Sequence, residues 1–115
     1  MDNLKQRIIQ ELVPGRQITL AHIIANPDPA LHKSLSMESA PQSAIGILTI
    51  TPPETAIIIA DIAIKAAGVQ VASVDISSGS LIITGTVSAV ESAVGAILEY
   101  VEGVLGFEVC KLSKT

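Results

Sequence analysis

A chain of 115 residues and 11.9 kDa is one domain, with room for a single core and not for two. Hydrophobic residues make up 49% of it and charged residues 16%, where a typical soluble domain is about one quarter charged, so the charge that normally keeps small proteins apart is in short supply. The net charge of −4, basic residues scattered from Lys5 to Lys114, and an aromatic content of 2% exclude a nucleic-acid binder, which needs a basic surface and rings to stack on bases.

The N-terminus, Met1-Asp2-Asn3-Leu4-Lys5-Gln6-Arg7, lacks the basic start and apolar run of a secretory signal. Cys110 is the sole cysteine, so no intrachain disulfide forms and a reducing, cytoplasmic setting is expected. Residues 7–13 are apolar enough to pair as a strand and end at Pro14-Gly15. Residues 17–25 follow as a second strand, closed by Asn26-Pro27. Asp28-Pro29 then opens a short helix through Leu35, and a polar loop covers 36–43.

A third strand spans 44–51. Thr51-Pro52-Pro53-Glu54 reads as a capping box, with threonine as N-cap and glutamate three residues on, opening a helix from Pro53 to Ala67 that Gly68 stops as a left-handed cap. That helix has one polar stripe, Glu54, Asp61 and Lys65, while Ile57, Ile58, Ile59, Ile62 and Ile64 cover most of the rest. So wide an apolar arc wants two neighbours, its own sheet and something else. Its apolar passage, 56–67, is broken by Asp61 and Lys65 and falls short of the roughly 20 residues that cross a bilayer.

Strands are expected over 69–76 and 81–87, joined by the turn Ser77-Ser78-Gly79-Ser80. Ser88-Ala89-Val90-Glu91 repeats the capping box and opens an amphipathic helix to about Leu105, with Val90, Val94, Ile97, Val101 and Leu105 on one side, before Gly106 and a last strand over 107–112. The order from residue 44 onward, β-α-β-β-α-β, is that of a two-layer α+β, ferredoxin-like sandwich with both helices on one face of the sheet. From Ser39 to Val90 the only charges are Glu54, Asp61, Lys65 and Asp75, which leaves more apolar surface than so small an interior can hide. Part of it is expected to face other copies of the chain.

Chemistry is sparse. His22 and His32 stand ten apart with no metal-ligand spacing and read as structural and solvated residues. Cys110, near the end of an apolar strand, reads as a small hydrophobe. Asp61 and Lys65, at i,i+4, read as a weak surface ion pair. Gly46, Gly79 and Gly85 make no phosphate loop, and neither an enzyme site, a metal nor a cofactor is expected.

The stretch Ala44-Ile45-Gly46-Ile47-Leu48-Thr49-Ile50-Thr51-Pro52, the helix through Lys65-Ala66-Ala67, and the run from Ser78-Gly79-Ser80-Leu81 to Glu91 resemble a bacterial microcompartment shell domain. The front segment, Arg7-Ile8-Ile9-Gln10-Glu11 and Val13-Pro14-Gly15-Arg16-Gln17 through Asn26-Pro27, resembles the circularly permuted hexameric branch of the ethanolamine-, propanediol- and choline-utilisation type. This resemblance implies a homohexamer that tiles with other shell proteins around a set of enzymes. It places a strand and short helix that end the ordinary domain at the front, in a shell domain over 16–115. It also implies that residues 1–15 form a cap in which Arg7, Ile8, Ile9, Gln10, Glu11 and Leu12 join a small parallel β-barrel on the sixfold axis. Lys65 matches the family's hexamer-edge lysine, with Asn26 near its edge partner, and Ser77, Ser78 and Gly79 fall at the pore loop. Relatives commonly carry a basic and an aromatic residue after the aspartate where this chain has Ile76 and Ser77. Ser43 stands where a bent-hexamer relative has glycine, which implies a flat disc. A targeting peptide of an enclosed enzyme is a further implied partner. The alternative is a ferredoxin-like oligomer that binds a small ligand at 77–80 or 36–43; a ligand-free hexamer in solution would decide against it.

Overall fold

The computed structural model describes residues 15–34 and 44–115. The expected strand over 7–13, with Arg7, Ile8, Ile9, Gln10, Glu11 and Leu12, and the loop 36–43 with Ser43, lie outside them. In chain order the elements are β1 (Gln17–Ile24), α1 (Pro29–Ser34), β2 (Ala44–Thr51), a 3-10 turn (Pro53–Thr55) leading into α2 (Ala56–Ala66), β3 (Gln70–Asp75), β4 (Ser80–Gly85), α3 (Val87–Gly103), β5 (Glu108–Val109) and β6 (Ser113–Lys114). These form a mixed α/β fold with a single sheet and three helices among the described residues.

The strand order is β3-β4-β2-β1-β5, with β6 also on β1. β2 runs antiparallel to both β1 and β4, β3 is antiparallel to β4, and β5 and β6 run parallel to β1. The front strand is therefore no appendage to the β-α-β-β-α-β unit: it is wedged between that unit's first and last strands. The reason is its apolar pattern. Ile18, Ala21 and Ile23 all belong to the buried core, and a register shift between Ile18 and Leu20 absorbs the extra residue that lets Ile18 and Ala21, three apart, share a face.

The core lies between the sheet and α2 and α3. Leu48, Ile50, Leu81 and Ile83 from the strands meet Ile59 and Ala63 of α2 and Val90, Val94, Ile97 and Val101 of α3. The packing is close. A Cβ on Gly46 would stand 2.9 Å from both Ile83 Cγ1 and Val90 Cγ1, so only glycine lets α3 lie this near β2.

The helix ends depart from expectation. Thr51 does not cap α2: it is the last residue of β2, opposite Gln17, and the helix start has no side-chain cap. Its place before a proline holds it extended, and Pro52 and Pro53 spend a 3-10 turn before Ala56 begins α2. Ser88 is not the cap of α3 either. Thr86, in extended conformation directly after β4, accepts the Ala89 N–H at 3.1 Å and leaves Ser88 within the first turn. Gly68 takes no left-handed conformation; Ala67 ends α2 with extended backbone and the chain turns straight into β3. Gly106 is left-handed, φ 73°, and Phe107 N–H closes the end of α3 on the Val101 carbonyl. The expected last strand over 107–112 is split into β5 and β6, both on β1, with 110–112 between.

Candidate assembly surface

The antiparallel pairing of β1, β2, β4 and β3 puts the residues singled out above at two ends of the molecule. Because β2 runs into α2, the C-terminal end of β2 marks the N-terminal end of the helix. There the β3–β4 turn docks, with the Gly79 carbonyl accepting the Ile50 N–H at 2.9 Å. Lys65 lies at the other end of α2, about 16 Å away for a helix of this length. β1 runs against β2 and pairs Ile24 with Ile45, so the bend that holds Asn26 comes to the Lys65 end. Asn26 and Lys65 thus share one end, and Ser77, Ser78 and Gly79 occupy the opposite one.

At the Lys65 end, the ammonium sits 2.8 Å from Asp61 and both side chains are mostly exposed. The hydrogen bond that the Lys65 ammonium donates to Asp61, and then the Asp61 charge, raise the Lys65 pKa above the ordinary lysine value. An exposed pair one helical turn apart adds little stability and leaves the long stem available to a neighbour. Beside it α2 presents Ile64, 55% exposed, and nearer its N-terminal end Ile57, 56% exposed, and Ile58. These supply the unburied side of the arc that the sequence leaves without a neighbour, while Ala56, Ile59, Ala60 and Ala63 face the core.

At the other end, Asp75 Oδ1 accepts both the Ser77 N–H, at 2.9 Å, and the Ser77 hydroxyl, at 2.6 Å. These bonds, the hydroxyl foremost, hold the Asp75 carboxyl below its ordinary pKa. Ser78 donates its hydroxyl to Ser80 at 3.0 Å. The hydroxyls of this turn are therefore engaged within the turn. Gly79 has an intrachain reason to be glycine: φ is +78° and a Cβ would fall on the Ile50 carbonyl oxygen.

Two apolar features escape the sequence reading. An open groove between α2 and α3 is lined by Ile62, Ala96, Glu99, Tyr100, Gly103 and Val104, the last 65% exposed. β3 is the outer strand of the sheet, and Val74 and Ile76 stand out from it and its turn. A strand signal alone does not distinguish an edge from an interior; only the pairing order does.

His22, half-buried, has Nδ1 2.6 Å from Ser113 Oγ and Nε2 2.9 Å from Thr115 Oγ1, as befits a hydrogen-bonded structural residue. His32 lies on α1. Cys110 is half-buried, and its N–H bonds the Ile18 carbonyl. Among the described residues no group of three or more His, Cys, Asp or Glu side chains could hold a metal ion, and no helix is long and apolar enough to cross a membrane.

The BMC domain family matches residues 44–112, more than half of the chain. The chain belongs to the bacterial microcompartment shell proteins. It is 49% identical over 111 residues to the shell protein EutS of Salmonella typhimurium, covering 96% of this chain and 98% of that one. It is 48% identical to the shell protein CutR of Streptococcus intermedius, over 95% and 92% of the two chains, and 47% identical to the shell protein PduU of Salmonella typhimurium, over 95% and 93%. Among solved structures it superposes on a CutR flat hexamer with a TM-score of 0.84 at 45% identity, covering 91% and 95%, and on a CutR screw of 41.9 Å pitch with the same TM-score at 44% identity, covering 89% and 100%. As a member of this family the chain is a structural protein of a microcompartment shell, and CutR assembles as hexamers.

Proposed function

We propose that six copies of this chain close into a flat ring that tiles, with other shell proteins, into the wall of a microcompartment. Lys65 and Asn26 lie at the ring's rim, and Ser77, Ser78 and Gly79 surround its axis. The observation that carries the ring is the 45% identity to a chain solved as a flat hexamer. The position of Lys65 and Asn26 at one end of the subunit and of the Ser77 turn at the other supports it, since rim and axis must lie apart. A ring interface is heterologous, one face meeting a different face of the next copy. The exposed isoleucines of α2 and the apolar edge at β3 provide the surface that such contacts remove from water.

The domain is circularly permuted, with 16–115 as the shell domain. The family match begins at residue 44, yet β1, ahead of it, completes the sheet, which is the arrangement a permutation leaves. Residues 1–15 cap the axis, with Arg7 through Leu12 as barrel strands, and this cap is the side offered to a targeting peptide. The chain is no enzyme, a reading supported by its relatives, which are shell proteins.

Light scattering on dilute purified protein at neutral pH tests the ring. A particle of six times 11.9 kDa is expected, and a single-chain mass overturns the proposal. Deleting residues 1–13 is expected to leave that assembly number unchanged while opening the axis; loss of all assembly would make the segment a subunit clasp instead.

A further inference from the structure

Among the described residues, β1 is paired along one side by β2 and along the other only by residues that follow α3. β5 covers Gln17 and Ile18, and β6 covers His22 and Ile23. Beyond β6 the Thr115 N–H donates to the Ile23 carbonyl at 2.9 Å, and the Thr115 carbonyl accepts the Ala25 N–H at 2.8 Å. Side chains tighten the same run. A single imidazole, His22, holds the hydroxyls of Ser113 and Thr115, and Lys114 reaches Glu91 of α3 at 2.8 Å.

Burial contributes little to this hold. Residues 111–115 are all exposed, Leu112 included, so the segment stays in place through polar bonds for which water competes at every position. Behind it lies the backbone edge of β1, flanked by Leu20, 41% exposed, and Ile24. An open strand edge with apolar side chains beside it is a template for another strand. CutR occurs both as a flat hexamer and as a screw, so one chain of this family assembles in more than one way.

We propose that residues 111–115 are a releasable latch, clamped by His22, which seals the edge of β1 against a strand from a second copy and so confines assembly to the other faces of the subunit. The latch rests on bonds within one subunit and stands or falls apart from the ring.

Amide hydrogen exchange and negative-stain electron microscopy on the full chain test it, comparing wild type with His22→Ala and with the double variant Ser113→Ala, Thr115→Val. Loss of the two hydroxyl–imidazole bonds is expected to speed exchange at the Ala25 and Thr115 amides about tenfold, with the β4 amides unchanged. Fibres or other strand-paired material are expected at the protein concentration where wild type shows none. If His22→Ala fails to fold, the double variant, which alters only exposed residues, decides alone. Unchanged exchange at Ala25 and Thr115 would show that the clamp holds nothing. Faster exchange with wild-type assembly would remove the sealing role.

Discussion

Gly79→Ala is the sharpest probe of the β3–β4 turn, because two roles compete for the glycine: a small residue at the proposed axis, or a backbone that no other residue can adopt. The structure favours the second. Gly79 sits at φ +78°, where an L-residue costs about 1 kcal/mol or more. The added Cβ would overlap the Ile50 carbonyl oxygen and stand 3.1 Å from Pro53 Cα. Both obstacles are backbone and cannot rotate away, so the turn must move. Its movement breaks the Ile50 N–H bond to the Gly79 carbonyl and the Gly79 N–H bond to the Asp75 carbonyl, each worth about 1 kcal/mol net. The expected loss is therefore about 3 kcal/mol, which at roughly 4 °C per kcal/mol for a chain of this length lowers Tm by about 12 °C. Thermal melts should be followed by circular dichroism at matched protein concentration, since assembly shifts Tm by mass action. Ser78→Ala, one residue away and exposed, is the control and should melt within a few degrees of wild type. A Gly79→Ala protein that melts less than about 4 °C below wild type, the equivalent of 1 kcal/mol, would refute the intrachain reasoning.

Thr86→Ala should cost about 1 kcal/mol through loss of the cap of α3, while Ser88→Ala costs much less; urea unfolding of the two variants distinguishes the observed cap from the one the sequence suggests. Lys65→Glu should keep the assembly mass of wild type yet abolish the extended sheets seen by electron microscopy, and sheets that persist would remove Lys65 from the rim. Ser77→Ala should raise the Asp75 pKa toward the ordinary aspartate value, read by NMR titration. Since the folded-state value is depressed, the stabilisation from Asp75 is present above the unfolded aspartate pKa and lost as pH falls through the folded one. Wild type and Ser77→Ala should therefore differ most near neutral pH and converge in strong acid. The Asp61–Lys65 pair runs the other way: its raised lysine contributes below the unfolded lysine pKa and loses that contribution as pH rises through the folded one, so Asp61→Asn should differ from wild type least at very high pH.

Local signals in the chain located most elements. The run at 44–51 reads as a strand because its residues are small, β-branched and turn-bounded, and β2 spans those positions. The spacing of Val90, Val94, Ile97 and Val101 identifies the buried face of α3 because helical period is a property of the chain alone. The unsheltered isoleucines of α2 were legible for the same reason: one sheet can cover only one side of a helix. The family, too, was legible, because its motifs lie in continuous runs.

Tertiary structure decided whatever depended on which groups meet. The sequence assigned the helix caps to Thr51 and Ser88; strand pairing instead kept Thr51 in β2, and the cap of α3 fell to Thr86, the residue that leaves β4 extended. The front strand looked like a preface, yet its apolar face completes the core only between β2 and β5. His22 acquires its role from Ser113 and Thr115, more than ninety residues away, and Gly79 from Ile50. Periodicity is written along the chain, whereas partners far apart in sequence are chosen by the packing that brings them together.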